Sequence, residues 1–514
     1  MSVLASDNET STGRGFGQRA ITAGQWRIAS AALKITLQFP VGVLLARLLL
    51  PADFGLAALS LVVTGFVTLA SDLGLGSAII QQRALTERHL RVALTASFFL
   101  GVSIAGLVVL MAPLIGRAAD NPDLVPILRV QSIFLVTAGC GAVAGAMLQR
   151  QLDFRRLFFI DVTSYTVGYA LVAIAGALSG LGVWSLILGI LAQGALTCLL
   201  SIHAANAPLR PLLARRELGQ LLGFGIGVSM NDFVSYIGQN GDNFFVGRLL
   251  GPSGLGYYSR AFNLMMMPIN YVTSAFFSIL VPTFAGMQDE RRRMGRGFLL
   301  SVQLTAIIVV PVAAAMIIAA PHLILGLYGD RWEGAIRPLQ VLCTVALPRA
   351  VLPLLGTVNR ACNRVVTELW FQCGFAGAVV GGTIAGSRHG IIGVAVAVSL
   401  AITLFYIALS SLALRLTKLT WRAFIVAQMP GMLVGLVLAV IAVALRITLE
   451  RAEWSHVSVL AALVLAGAMS IPLGVYLLPA RLRPTELFSR LTPSLKRLPA
   501  PLRVCAMFVL RTAR

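Results

Sequence analysis

Three cations stand in stretches that are otherwise apolar: Lys34, Arg260 and Arg349. A charge in hydrocarbon is costly unless it is paired or hydrated, so such residues face protein or a water-filled space. The guanidinium fork takes two oxygens of one phosphate, whereas Lys offers a point charge. Together these cations suit a cavity that receives an anionic group. Lys34 sits too deep in its apolar run to snorkel easily and reads as cavity-facing. Arg260 follows Tyr257 and Tyr258 and fits either a cavity or an interface anchor. Arg349 lies between Pro348 and Pro353, where a broken helix could expose it or simply bury it.

Acids accompany these cations. Asp72, Asp161 and Asp242 lie in or near apolar runs, and each could pair with a cation, carry a coupling proton or sodium ion, or accept ligand hydroxyls. Ion pairing is the favoured reading for Asp242, while Asp72 and Asp161 stay open. Tyr236, Gln239 and Asn240 form a polar wall that suits hydroxyl-rich ligands, or ordinary hydrogen bonding between helices. No catalytic constellation is read. The histidines lie at the ends of apolar runs without ligand spacing, and none of the six cysteines forms a C-x-x-C pair, so no metal site, disulfide or cofactor is expected.

The elements that carry these residues follow from composition. The chain of 514 residues is 57% hydrophobic and only 12% charged, and its mean hydropathy is +0.85. That excludes an ordinary soluble enzyme and points to a polytopic membrane protein. The net charge of +21 reads as topogenic Arg in cytoplasmic loops rather than as a nucleic-acid surface. At roughly 20 apolar residues per span, about fourteen helices are expected. Alternate connections are basic, as at Arg150, Arg155 and Arg156 or at Arg291, Arg292, Arg293 and Arg296. The positive-inside rule then places those loops and both termini in the cytoplasm.

A repeat organises the spans. Arg47-Leu-Leu-Leu-Pro51-Ala-Asp-Phe-Gly55 recurs as Arg248-Leu-Leu-Gly-Pro252-Ser-Gly-Leu-Gly256, about 200 residues later, which suggests a duplicated fold. Each copy suits a tight corner between helices, because Pro cannot continue the first helix and Gly relieves steric limits near the next. Arg47 and Arg248 are read as neutralising helix C-terminal carbonyls rather than as ligand contacts. Gly180-Leu-Gly182 and Gly390-Ile-Ile-Gly393 form a second matching pair. The expected fold is all-α and integral to the membrane, with two pseudo-symmetric six-helix lobes and two further helices. A cytoplasmic segment covers 1–26, the first lobe 27–205, a cytoplasmic linker 206–220, the second lobe 221–415, the extra helices 416–480 and a basic cytoplasmic tail 481–514.

The first motif, the following Ser71-Asp72-Leu-Gly74-Leu-Gly76, the stretch Asp242-Asn-Phe-Phe-Val-Gly-Arg248 and Gly256-Tyr-Tyr-Ser-Arg260-Ala resemble the polysaccharide flippases of the multidrug/oligosaccharidyl-lipid/polysaccharide (MOP) exporter superfamily. More narrowly the chain looks like the Wzx-type translocases of O-antigen and exopolysaccharide. The resemblance covers residues 20–480. It implies flipping of undecaprenyl-pyrophosphate-linked oligosaccharide units across the inner membrane for lipopolysaccharide or exopolysaccharide synthesis, without covalent chemistry. It also implies membrane lipids, a polysaccharide polymerase and a chain-length regulator as partners. Lys34 is similar in place to a cavity arginine of the lipid II flippases. The rival readings are a cation-coupled multidrug antiporter of the same superfamily, which should carry an acid-lined cavity, and a membrane glycan polymerase, which should carry large loops with catalytic acids.

Overall fold

The computed structural model describes residues 36–72, 75–82, 85–285, 291–362 and 364–477, together with Trp26 and Leu33. Among the described residues there is no strand, and helices follow one another with short connections. They run α1 (Thr36–Leu48), α2 (Pro51–Asp72), α3 (Leu75–Gln81), α4 (Glu87–Ala118), α5 (Leu124–Gln131), α6 (Ile133–Arg150), α7 (Phe154–Thr163), a π-helical segment (Ser164–Leu171), α8 (Val172–Leu178) and α9 (Val183–Ala204). Then come α10 (Arg215–Ala285), α11 (Arg291–Tyr328), a 3-10 turn (Asp330–Ala335), α12 (Ile336–Cys343), α13 (Ala346–Ala361), α14 (Val365–Ser387), α15 (Gly390–Thr417), α16 (Trp421–Arg451) and α17 (His456–Leu477). Nine helical stretches among the described residues are long and apolar enough to cross a membrane. The bent pair Asp330–Cys343 and Ala346–Ala361, which meet at 51°, makes up to ten. The chain is a multi-pass, all-helical membrane protein.

Local chemistry explains the starts and breaks. Pro51 opens α2, where its missing N–H costs nothing, and the Asp53 carboxylate accepts the Leu50 N–H at 2.9 Å. Thr86 and His89 close the first turn of α4, with the Thr86 hydroxyl 2.7 Å from the His89 Nδ1. α10 is interrupted at Gly251, whose φ of 75° and ψ of 175° belong to glycine, and Pro252 starts the helix again. Gly180, Gly182 and Gly390 also take positive φ.

The chain divides into two compact units, one comprising residues 1–49 and 59–233, the other 50–58 and 234–514. In the first, an apolar core gathers around Ile79, Val143, Leu148 and Ile160. Two basic residues near helix termini of this unit cap the ends of other helices. Arg150 Nη1 donates to the carbonyls of Ile79 at 2.7 Å and Gln82 at 2.6 Å, and Arg156 Nη1 donates to that of Ala204 at 3.1 Å. In the second unit the two copies of the corner motif meet. A Cβ on Gly55 would collide with the Pro252 carbonyl, and one on Gly256 with the Pro51 carbonyl. The glycines therefore serve a reciprocal backbone contact, beyond the turn geometry that their spacing suggests. Arg47 and Arg248 are both exposed.

Candidate functional site

In the second unit the helix after Gly251 carries Tyr257, Tyr258 and Arg260 within about one turn. The Arg260 guanidinium lies over the Phe54 ring, 3.8 Å from its centroid, and 5.8 Å from that of Tyr328. Trp332, fully buried, joins these rings: its centroid is 5.4 Å from Phe54, 5.6 Å from Tyr328 and 6.2 Å from Tyr257. The ring faces supply attraction to the cation without consuming its N–H donors. The Nε atom of Arg260 is buried and makes no hydrogen bond within the described structure. An arginine so held keeps its hydrogen-bonding capacity for a ligand, and the fork geometry favours phosphate or carboxylate oxygens.

A second charged group sits in the same unit. The Tyr258 hydroxyl donates to Asp242 Oδ2 at 2.6 Å, and the Asn243 N–H donates to Oδ1 at 2.9 Å. Asp242 is 3% exposed and Tyr258 is fully buried. Arg349 interacts electrostatically with both and lies 5.7 Å from the Phe262 ring. A buried carboxylate with two hydrogen bonds and a cation in reach is a compensated charge. Arg349 thus lies in the field of a carboxylate, whereas Arg260 holds a buried donor with no partner among the described residues.

The other residues selected from sequence are spread more widely. Asn240 donates through Nδ2 to the Tyr236 carbonyl one helical turn earlier, at 3.3 Å, and Gln239 is exposed. Tyr236 and Asn240 are half-buried. Asp161 lines a cavity in the first unit. Asp72 belongs to the last turn of α2, and its side chain lies outside what is described. Lys34 lies outside the described residues. The aromatic seat of Arg260 was not found from sequence. Phe54 stands inside the recognised corner motif, but Tyr328 and Trp332 come from a distant connection, and no local pattern joins them.

The histidines also organise more than their positions suggest. His322 Nδ1 lies 2.9 Å from His456 Nδ1, and His322 Nε2 lies 2.8 Å from Glu450 Oε1. Arg446 Nε donates to the same Glu450 oxygen at 2.8 Å. This chain of contacts ties α16 and α17 to α11, and no group of three metal-ligating residues occurs among the described residues.

Comparison with known proteins agrees with this architecture. The family model described as "Polysaccharide biosynthesis protein" matches residues 44–337. The lipopolysaccharide biosynthesis protein WzxC of Escherichia coli (strain K12) is 26% identical over 72% of this chain and 76% of its own length. The succinoglycan biosynthesis transport protein ExoT of Rhizobium meliloti (strain 1021) is 29% identical over 70% of this chain and 74% of its own. Among solved structures, the lipid II flippase MurJ in an inward closed conformation superposes with a TM-score of 0.69 at 12% identity, covering 88% of this chain and 98% of that one. An inward-facing multidrug resistance MATE family transporter of the MOP superfamily gives 0.60 at 16% identity, covering 75% and 96%. The helical order, the paired Pro–Gly corners and the matched span of residues 44–337 lead to one assignment: the chain belongs to the polysaccharide biosynthesis protein family, built on the fold of the MOP-superfamily transporters.

Proposed function

We propose that the protein flips polyprenyl-pyrophosphate-linked oligosaccharide units across the bacterial inner membrane for polysaccharide or lipopolysaccharide synthesis. The observation that carries this reading is Arg260, seated on the Phe54 ring with a buried, unpartnered Nε. Relatives with transport and biosynthesis names in polysaccharide pathways support the substrate class. An anionic headgroup entering an apolar region needs such a donor, because an uncompensated charge there is costly. Lys34 and Arg349 are the further cationic candidates, and Tyr236, Gln239 and Asn240 the sugar-facing ones. No covalent step is involved; the work is binding and reorientation, so the protein acts as a transporter rather than an enzyme.

The same reading assigns the two halves, 27–205 and 221–415, as duplicated lobes that work by alternating access, with both termini cytoplasmic. A polymerase and a chain-length regulator would receive the product. The antiporter alternative needs an acid-lined cavity; Asp242 is instead bonded to Tyr258, and the cavity of the first unit carries, among its described lining, the single carboxylate of Asp161 amid amides and hydroxyls. The deciding experiment depletes the protein in living cells and locates the lipid-linked repeat unit by leaflet-specific labelling. Accumulation on the inner leaflet is expected, and accumulation on the outer leaflet would refute flipping. Cytoplasmic labelling of cysteines placed at 330 and 450 would overturn the orientation.

A further inference from the structure

The first unit holds a cavity of about 420 Å³ among α6, α7 and α9. Its polar lining is ordered by helical spacing. Gln193, Thr197 and Ser201 stand four residues apart on α9 and so share one face. Opposite them, Thr137 and Gln149 lie at the two ends of an α6 face whose middle positions are Gly141 and Gly145. Asp161 enters from α7. The π-helical segment begins three residues later, and such insertions within α-helices gather at functional sites. Gly168 of that segment lies against the α9 backbone, where a Cβ would come within 2.7 Å of Gln193 Cα. Close backbone contact therefore fixes the height of Gln193 in the wall.

Size and chemistry narrow the occupant. A volume of 420 Å³ falls in the range of roughly 300–1,000 Å³ that takes whole organic molecules, and far exceeds the ~30 Å³ share of one water. A single bare cation would leave most of it empty. Among the described residues its lining holds one carboxylate, Asp161, and no cation. Two amides, three hydroxyls and a carboxylate provide donors and acceptors in both senses, which is what a ligand bearing many hydroxyls requires. Phe134 adds an apolar ring, seated on Gly194 with a would-be Cβ 2.7 Å from the Phe134 Cδ2.

We infer that this cavity is a subsite for sugar residues of the transported glycan, separate from the arginine that takes the pyrophosphate. The inference rests on the flippase reading and adds the place where hydroxyls are recognised. It assigns Gln193, Thr197 and Asp161 as hydrogen-bonding residues and Gly145 as the position that keeps the space open. A Cβ on Gly145 meets nothing within 4 Å, so a larger side chain can be accommodated without moving the backbone.

The test uses the full chain in lipid nanodiscs. The probe is the oligosaccharide repeat unit of the host, released from its lipid carrier by mild acid so that it carries no pyrophosphate. Binding is measured for the native protein, for Gly145→Leu, for Gln193→Ala and for Gly106→Ala as a control outside the cavity, where a Cβ meets nothing within 4 Å. The native protein and Gly106→Ala are expected to bind alike, with Gly145→Leu weakened at least tenfold and Gln193→Ala several-fold, at unchanged thermal midpoints. Equal binding by Gly145→Leu overturns the subsite. So does protection by sodium chloride over potassium chloride that Asp161→Asn abolishes while no sugar binds, because that pattern describes a cation site. A parallel flipping assay with the intact lipid-linked unit separates the two levels. If the native protein flips the unit but does not bind the free sugar, the subsite falls and the flippase reading stands; if it does not flip the unit, both fall.

Discussion

The two units treat polar groups in opposite ways. In the second, charges are clamped: Asp242 is held by Tyr258 at 2.6 Å, Arg349 faces that carboxylate, and Arg260 is pinned on Phe54. In the first, Gln149, Asp161, Gln193 and Thr197 border open volume, while arginines such as Arg150 are spent on helix ends. The difference teaches that charge alone does not mark a binding residue in this chain. What marks one is its setting: a buried, unpartnered Nε on Arg260 in one unit, and amides and hydroxyls gathered on a cavity wall in the other.

The largest effect should come from the clamped pair. Asp242→Ala takes the acceptor from the fully buried Tyr258 hydroxyl, which costs ~1–3 kcal/mol, and the lost attraction for Arg349 adds to it. Thermal unfolding in detergent and folded yield should both fall. Adding Arg349→Gln to Asp242→Asn should cost less than the sum of the single changes, because each single change strands a charge. If the effects simply add, the two residues are not coupled and the clamped character of this unit fails.

Next in size is the reciprocal corner. Gly256→Ala drives a methyl group into the Pro51 carbonyl, and Gly55→Ala does the same at Pro252. Backbone must move, at a cost of ~1–3 kcal/mol for such overpacking. Equal losses from the two glycines would show that the motif copies are equivalent in structure as well as in spacing. A loss from one alone would break that equivalence.

Legibility in the sequence followed the range of the forces. Apolar runs announced the spans because each helix satisfies its own backbone and must only match the thickness of the bilayer. The corners at Pro51 and Pro252 were visible for the same local reason. That they press on one another was not, since Gly55 and Gly256 come together only through tertiary packing. Arg260 stood out as a cation in an apolar run, yet its seat depends on Tyr328 and Trp332, which sit far away in the chain. The glycines of α6 read as ordinary helix contacts, and only the opposing face of α9 turns Gly145 into a wall of a cavity. Gln193 and Thr197 carried no signal of their own, because isolated polar residues in spans are common partners between helices.

Arg260→Ala sharpens the contrast at the level of function. It removes a donor held ready by aromatic rings rather than a structural tie, so the thermal midpoint should change little. A hydrogen bond to a charged group is worth ~1.5–3 kcal/mol, so affinity for a lipid-linked pyrophosphate should fall by roughly 10–100-fold. Arg260→Lys keeps the charge but not the fork and should fall between. An unfolded Arg260→Ala protein, or one that binds normally, would place this arginine with the structural group.

The smallest effect, and the sharpest control, belongs to Arg150 in the first unit. Its Nη1 serves the Ile79 and Gln82 carbonyls at the end of α3, so Arg150→Ala removes a cap and not a ligand contact. A cation at a helix C-terminus contributes ~0.3–1 kcal/mol on an exposed surface and up to about 2 when partly buried, as this half-buried residue is. Thermal stability should drop by that amount while flipping per folded molecule is unchanged. Arg150→Lys should restore part of the stability, because the charge near the carbonyls survives even though the two-carbonyl reach of the guanidinium does not. Arg150→Ala and Arg260→Ala thus predict crossed outcomes from the same chemical deletion. One loses stability and keeps transport; the other keeps stability and loses transport. If both lose transport alike at equal folded amounts, basic charge acts collectively in this protein, and the division between clamped, capping and ligand-ready arginines fails.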